Sequence, residues 1–268
     1  MSSDIVQVSD ANPSLPDLAA RRRQRLVALV EARGSARLEE LSAVLGVSPA
    51  TVRRDLDAIS PAGRLRRVHG GVVATDQRLD EPQFYVKAGA RAAEKARIAA
   101  AAIRLLDPGD TVYLDSGSTV LAVARLLHGW DRLTVVTNSL PVATELVGRG
   151  PRVIVLGGEL RATSRAIVGP LTRHLLDELH VDRALMGTYA LSLDDGLMTT
   201  DPSEAFTKEL VLTRAREVIL LADSSKLGTR SFVASGRLAA VDVLVTDDRI
   251  DGRTAKALAR HGIRVITA

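Results

Sequence analysis

Val47-Ser-Pro-Ala-Thr-Val-Arg-Arg-Asp-Leu-Asp-Ala-Ile59 is the stretch on which the fold turns. Ser48 suits a helix cap, and Pro49 at the first helical position gives up nothing, because the N–H it lacks has no intrahelical partner there. Val52, Leu56 and Ile59 recur at i, i+4 and i+7, which predicts one buried face with Ala50, Arg54 and Asp57 opposite it and Thr51 and Arg53 at its flanks. An exposed first turn of small, hydroxyl and guanidinium side chains suits a DNA major groove, where arginine pairs with guanine or holds a phosphate. An ordinary amphipathic helix with a solvated charged face has the same pattern. The neighbouring sequence decides between them.

Upstream, Leu26, Leu29 and Val30 at helical spacing predict a support helix from about 17 to 33, with Asp17 as its cap. Leu38, Leu41 and Leu45 then mark a two-turn helix closed by Gly46, so short helix, turn and capped helix form a helix-turn-helix. Downstream, Pro61 and Gly63 break the helix, and residues 64–74 read as two short strands joined at Gly70-Gly71. Such a basic wing sets Arg66, Arg67 and His69 against phosphates or into the minor groove; the plainer reading is a hairpin that closes a small domain. Three arginines on so short an element favour contact. The candidate DNA-binding residues are therefore Ser48, Ala50, Thr51, Arg53, Arg54, Arg66, Arg67 and His69.

Composition supports a divided chain. The 268 residues carry a net charge of only +4, yet residues 21–74 hold eleven arginines against five acidic residues. That asymmetry suits a polyanionic partner. With no cysteine there is no disulfide framework and no thiol chemistry. No run has signal-peptide or membrane-spanning character, which leads to the expectation of a cytoplasmic protein with no membrane association. The expected organisation is a flexible N-terminus at 1–16, a winged helix-turn-helix at 17–74, a linker at 75–91 containing Pro82 and Gly89, and an α/β domain at 92–268.

In that last segment, strand-like runs at 112–114, 135–137, 153–156, 184–186, 218–222, 243–246 and 265–267 alternate with helical spacing at 94–106, 119–127, 141–147, 170–179 and 203–215. Alternation of this kind predicts right-handed β-α-β units and a mainly parallel sheet covered on both faces. Ligands bind such sheets beyond the carboxyl ends of the strands. Here those ends carry Asp115-Ser116-Gly117-Ser118-Thr119, then Asn138-Ser139, then Gly157-Gly158 followed by Glu159 and Arg161, then Gly187-Thr188, and last Asp223-Ser-Ser-Lys226. Hydroxyls, amides, glycines, a lysine and a carboxylate together suit a phosphorylated polyol. Separately, each has a plain reading: the first turn caps a helix, Asp223 and Lys226 form a surface ion pair, and Glu204 with Lys208 make an i,i+4 salt bridge. If Glu204 and Lys208 face the crevice they position a sugar hydroxyl or, in an enzyme, act as base and electrophile.

The five histidines lack metal-ligand spacing, and there is no phosphate-binding Walker loop or dinucleotide glycine fingerprint. Aromatic residues are only 3% of the chain, which argues against a stacking platform for single strands. Neither a metal, nor a cofactor, nor a catalytic residue is expected.

From about Arg21 to Thr246 the chain resembles the DeoR family of bacterial transcriptional repressors. The resemblance is carried by Val47 to Leu56, Arg67-Val-His-Gly-Gly71, Glu94-Lys95, Leu114 to Thr119, Thr137-Asn-Ser139, Gly157-Gly158, Val168-Gly-Pro170, Glu204 with Lys208, and Leu221 to Lys226. It implies a winged helix-turn-helix joined to a sensor domain similar to ribose-5-phosphate isomerase, with a phosphorylated sugar or related metabolite as effector. Carried over by position, Asp115, Ser116, Gly117, Ser118 and Thr119 would hold the phosphate, and Asn138, Gly187, Glu204, Lys208, Asp223 and Lys226 would line the rest. Gly157, Gly158 and Arg161 complete the candidate set. Two departures stand out: Ser118 where the family usually has Thr, and Thr188-Tyr189-Ala-Leu191 where a small glycine-containing turn is usual.

The expected function is a DNA-binding repressor of carbohydrate metabolism, a homo-oligomer (dimer or tetramer) on double-stranded operator DNA, controlled by that effector. The alternative is an isomerase-like enzyme with an accessory DNA-binding domain, for which Glu204, Lys208 and Lys226 would act. The acidic catalytic turn of such isomerases is not seen in this sequence.

Overall fold

The computed structural model describes residues 15–33, 35–59, 65–68, 71–74 and 81–268. The chain divides into two compact units, Met1–Asp80 and Glu81–Ala268.

In the first unit, helix α1 (Leu15–Arg33) is followed by strand β1 (Ser35–Arg37), α2 (Leu38–Leu45), α3 (Pro49–Ile59), β2 (Leu65–Val68) and β3 (Gly71–Ala74). Helix α1 begins before Asp17, so that residue lies inside the helix and not at its cap. Gly46 closes α2 in the left-handed region, at φ 64°, and its N–H donates to the Ser42 carbonyl. Helix α3 starts at Pro49 with Ser48 before it, and the Thr51 N–H donates to Ser48 Oγ at 3.3 Å. Leu26, Val30, Leu41, Val52, Leu56 and Val72 form one buried cluster. The wing gains a third strand that the sequence did not announce. Strand β1 pairs antiparallel with β3, giving the order β1-β3-β2. At Gly71 the backbones approach so closely that a Cβ would stand 2.7 Å from the Ala36 carbonyl oxygen.

The second unit opens with α4 (Phe84–Gly89) and α5 (Ala92–Ala102), so residues 81–91, expected to be linker, are folded here. Then follow β4 (Thr111–Leu114), α6 (Ser118–Ala124), β5 (Thr134–Thr137), α7 (Leu140–Leu146), β6 (Arg152–Val155), the hairpin β7 (Glu159–Arg161) and β8 (Ala166–Val168), and α8 (Arg173–Asp177). After β9 (Val181–Gly187) come β10 (Ala190–Ser192), β11 (Gly196–Thr199), α9 (Pro202–Leu212), β12 (Ala215–Leu221), β13 (Val233–Gly236), β14 (Val243–Thr246), α10 (Gly252–Arg260) and β15 (Arg264–Thr267).

All seven expected strands form one parallel sheet of order β15-β14-β12-β9-β4-β5-β6. Alternation along each strand feeds two cores. Val112, Leu114, Leu185, Ile219 and Val245 face Ile98, Val120 and Val142, whereas Tyr113, Val136, Met186, Leu220 and Leu244 face Leu176, Val211 and Leu258. Short antiparallel pieces, β10-β11-β13 and β7-β8, lie outside the main sheet.

Candidate functional site

On α3, Val52, Leu56 and Ile59 are buried as the spacing requires, and Ala50, Arg53, Arg54 and Asp57 are exposed, with Thr51 half-buried and Ser48 exposed. The buried face also takes Asp55, whose carboxylate is held by Arg22 (Nε at 2.5 Å) and Arg23 (Nε at 3.4 Å) of α1. Periodicity alone could not find this, because an acid at i+3 from Val52 reads as polar surface. Arg66 and Arg67 fall on β2, opposite Val73 and Val72 of β3. His69 lies outside the described residues.

In the second unit the strand ends assemble a charged site. Asp115, directly after β4, is 1% exposed; its Oδ2 accepts from the Gly187 N–H at 3.0 Å and from Lys208 Nζ. Lys208 also donates to the Gly187 carbonyl at 3.0 Å and stands 3.9 Å from Glu204 one turn earlier on α9. Burial works against the Lys208 charge, yet Asp115 and Glu204 outweigh it and hold the ammonium above the ordinary lysine value. Burial also pushes the Glu204 carboxyl up, with Lys208 opposing and Glu81 and Asp115 adding to the rise. Arg161 lies at the centre of the next group, with Glu81 Oε2 at 2.6 Å, Glu204 Oε2 at 3.1 Å, Asp201 Oδ2 at 3.2 Å and Thr200 Oγ1 at 3.2 Å.

Beside this saturated network lies a group with the opposite balance. Lys226 and Lys95 are both held below the ordinary lysine value, chiefly by burial, with Asp223 opposing and neighbouring cations adding to the fall. Lys95 feels Lys226, Lys87 and Arg91 as repulsion, and Lys226 feels Lys87 and Arg91 likewise. Asp223 stands 3.6 Å from Arg91 and accepts from the Ser225 N–H and hydroxyl. The plain reading of Asp223 and Lys226 as a surface ion pair is not the local arrangement: Lys226 Nζ feels the Asp223 charge but sits 4.8 Å from the Tyr189 ring centroid. Lys95 caps the end of α4, donating to the carbonyls of Lys87 and Ala90. Ser118 Oγ donates to the same Lys87 carbonyl at 3.4 Å, which places the turn after β4 against α4.

Among the predicted residues, Asp115, Gly187, Glu204, Lys208 and Arg161 are thus joined by direct contacts, and Asp223 and Lys226 share the cationic group. Ser116 is buried, Ser118 and Thr119 are half-buried, and Gly117 has the positive φ, 138°, that the turn requires. Asn138 lies on the neighbouring strand end, donating to the Ile167 carbonyl at 3.1 Å. Gly157 and Gly158 lie exposed on the turn into β7, where a Cβ at Gly158 would meet Ile167 at 2.9 Å. Two buried acceptors, Asp115 Oδ1 and Asn138 Oδ1, have no hydrogen-bond partner among the described residues. Sequence reasoning missed Glu81, Lys87 and Arg91, which sit in the stretch read as linker. Lys95 entered only as part of a family pattern. Among the described residues, no cluster has the make-up of a metal site, and no helix is long and apolar enough to cross a membrane.

Two family models match: the DeoR-like helix-turn-helix domain over residues 22–78 and the DeoR C-terminal sensor domain over residues 90–248. The chain belongs to the DeoR family of transcriptional regulators. Its relatives include the HTH-type transcriptional regulator GlpR of Haloferax volcanii, 36% identical over 93% of this chain and 98% of that protein. The glycerol-3-phosphate regulon repressor of Escherichia coli K12 is 31% identical over 91% of this chain and 97% of that protein. Both are regulators, and this chain is a DNA-binding transcription regulator of the same family. Among solved structures, ribose 5-phosphate isomerase A from Methanocaldococcus jannaschii is 21% identical, covering 50% of this chain and 53% of that chain with a TM-score of 0.37.

Proposed function

We propose that this regulator is a repressor of carbohydrate metabolism, whose effector is a small phosphorylated polyol held beyond the ends of β4, β5, β9 and β12. The observation that carries the reading is the imbalance of charge. Lys87, Arg91, Lys95 and Lys226 repel one another across a space whose carboxylates are Asp223 and Glu81, the latter shared with Arg161. Like charges gathered around the buried Lys95 are costly, and a dianionic phosphate relieves that cost. At the other side, the unpartnered Asp115 Oδ1 and Asn138 Oδ1 need hydroxyl donors, which a polyol supplies. The name of the Escherichia coli relative makes sn-glycerol 3-phosphate the first candidate.

Residues 17–74 are assigned to the operator. Ser48, Ala50, Thr51, Arg53 and Arg54 on and before α3 face the major groove, and Arg66, Arg67 and His69 face the backbone or minor groove beside it. Paired half-sites call for at least a dimer of the chain. The test is a thermal-shift titration of the full chain with phosphorylated polyols, followed by gel shift on DNA from upstream of its own gene with the ligand that binds. A ligand that binds only the native state raises the midpoint. A phosphorylated polyol that raises the midpoint and changes operator binding supports the reading; no response to any phosphate ester overturns it.

A further inference from the structure

We infer that Glu81 is a built-in anion that occupies the cationic end of the site and is displaced by the phosphate group of the effector, releasing the first residue of the second unit from Lys87, Arg161 and Thr200. The inference rests on the reading of Lys87, Arg91, Lys95 and Lys226 as the anion-binding end.

Glu81 is held much as a phosphate would be. Its side chain is 4% exposed; Oε1 accepts from Lys87 Nζ, and Oε2 accepts from Arg161 Nη1 at 2.6 Å and from Thr200 Oγ1 at 2.8 Å. Burial opposes its ionisation, but Lys87 and Arg161 outweigh that and keep the carboxyl below its ordinary value. Lys226 also feels its charge. An entering dianion therefore meets a carboxylate already engaged with Lys87, and the two compete.

The surroundings make Glu81 the carboxylate that can leave. Arg161 keeps Asp201 at 3.2 Å and Glu204 at 3.1 Å when Glu81 departs, so no buried guanidinium is orphaned. Pro82 has no N–H to lose, and Gln83 is exposed. Three residues on, the Phe84 side chain is 1% exposed and its N–H donates to the Thr163 carbonyl at 3.0 Å. That anchor allows residues 81–83 to move while α4 stays in place. Because Glu81 is the first residue of the second unit, its release is felt by the chain that leads to the DNA-binding unit through covalent continuity alone.

The test uses the full-length protein with inorganic phosphate as probe, comparing wild type, Glu81→Gln and the near-isosteric Thr200→Val. If Glu81 blocks the site in most molecules, apparent phosphate affinity rises about tenfold in Glu81→Gln and about threefold in Thr200→Val, because the competent fraction grows. In the wild type, saturating phosphate raises hydrogen exchange at the amides of Glu81 and Gln83 while lowering it in residues 87–95. Equal phosphate affinity in all three proteins, or protection that rises across the whole of 81–95, makes Glu81 a fixed strut and overturns the inference while leaving the anion site standing. Phosphate that shifts none of the three removes the anion site itself, and the inference with it. Thr200→Val keeps the experiment decisive if Glu81→Gln does not fold.

Discussion

The two halves of the strand-end site use similar residues to opposite effect. Around Lys208 and Arg161 each cation is matched by carboxylates: Asp115 and Glu204 for one, Glu81, Asp201 and Glu204 for the other. Around Lys95 and Lys226 the cations outnumber their partners, and burial lowers the pKa of both lysines. A lysine drawn up by its neighbours is already satisfied and acts as a fixed post. One held down by burial gains from an added counter-charge. A buried lysine thus points to a ligand only when its counter-charges fall short.

The largest expected effect tests the satisfied half. Lys208→Met leaves Asp115 and Glu204 buried without their ammonium and is expected to cost about 3–5 kcal/mol in urea unfolding; a loss within experimental error would erase the distinction between the halves. Next, Lys226→Ala removes a cation from a repelling group, so stability stays nearly unchanged. Phosphate-ester affinity is expected to fall by about 1.5–3 kcal/mol, the worth of a charged hydrogen bond, in calorimetric titration. Arg54→Ala touches neither half. It is expected to weaken operator binding by about 1–3 kcal/mol if it reads a base, or to lower the salt slope by about one if it holds a phosphate, with ligand affinity unchanged.

The smallest effect is one of pH. Lys95 and Lys226 have lowered pKa values when folded, so between those values and the ordinary lysine value near 10.4 the unfolded chain binds more protons. Their contribution to stability therefore rises with pH through that window. Bound phosphate favours the protonated lysines, so its affinity runs the other way and falls as pH climbs. Titrations at successive pH values that show constant or rising affinity would remove these lysines from the anion site.

Most of the fold was legible because the sheet and the helix-turn-helix obey strong periodicities. Val112, Leu114 and Val135 had to enter a parallel strand core, and Ser48-Pro49 had to begin a helix. The antiparallel pieces were not legible: β1, β7, β8, β10 and β11 are three or four residues long and are held by tertiary pairing. Of the site, the carboxylates and lysines on β4, α9 and the turn after β12 could be found from strand ends. Glu81, Lys87 and Arg91 could not, because a six-residue helix shows no usable period, and its place is set by Phe84 beneath it and by Lys95 at its end. Asp55 was likewise hidden, since its partners lie on another helix.

The pairing of Asp115 with Gly187 and Lys208 spans 72 and 93 residues of chain, and that separation has a consequence in time. Long-range contacts form late, and a ribosome adding roughly 5–20 residues per second leaves about 5–20 seconds between the emergence of Asp115 and that of Lys208. The first unit, complete by Asp80, emerges before any of this. Each newly made molecule therefore passes through an interval in which its helix-turn-helix half has left the ribosome and its sensor half has not yet closed the contact between Asp115 and Lys208.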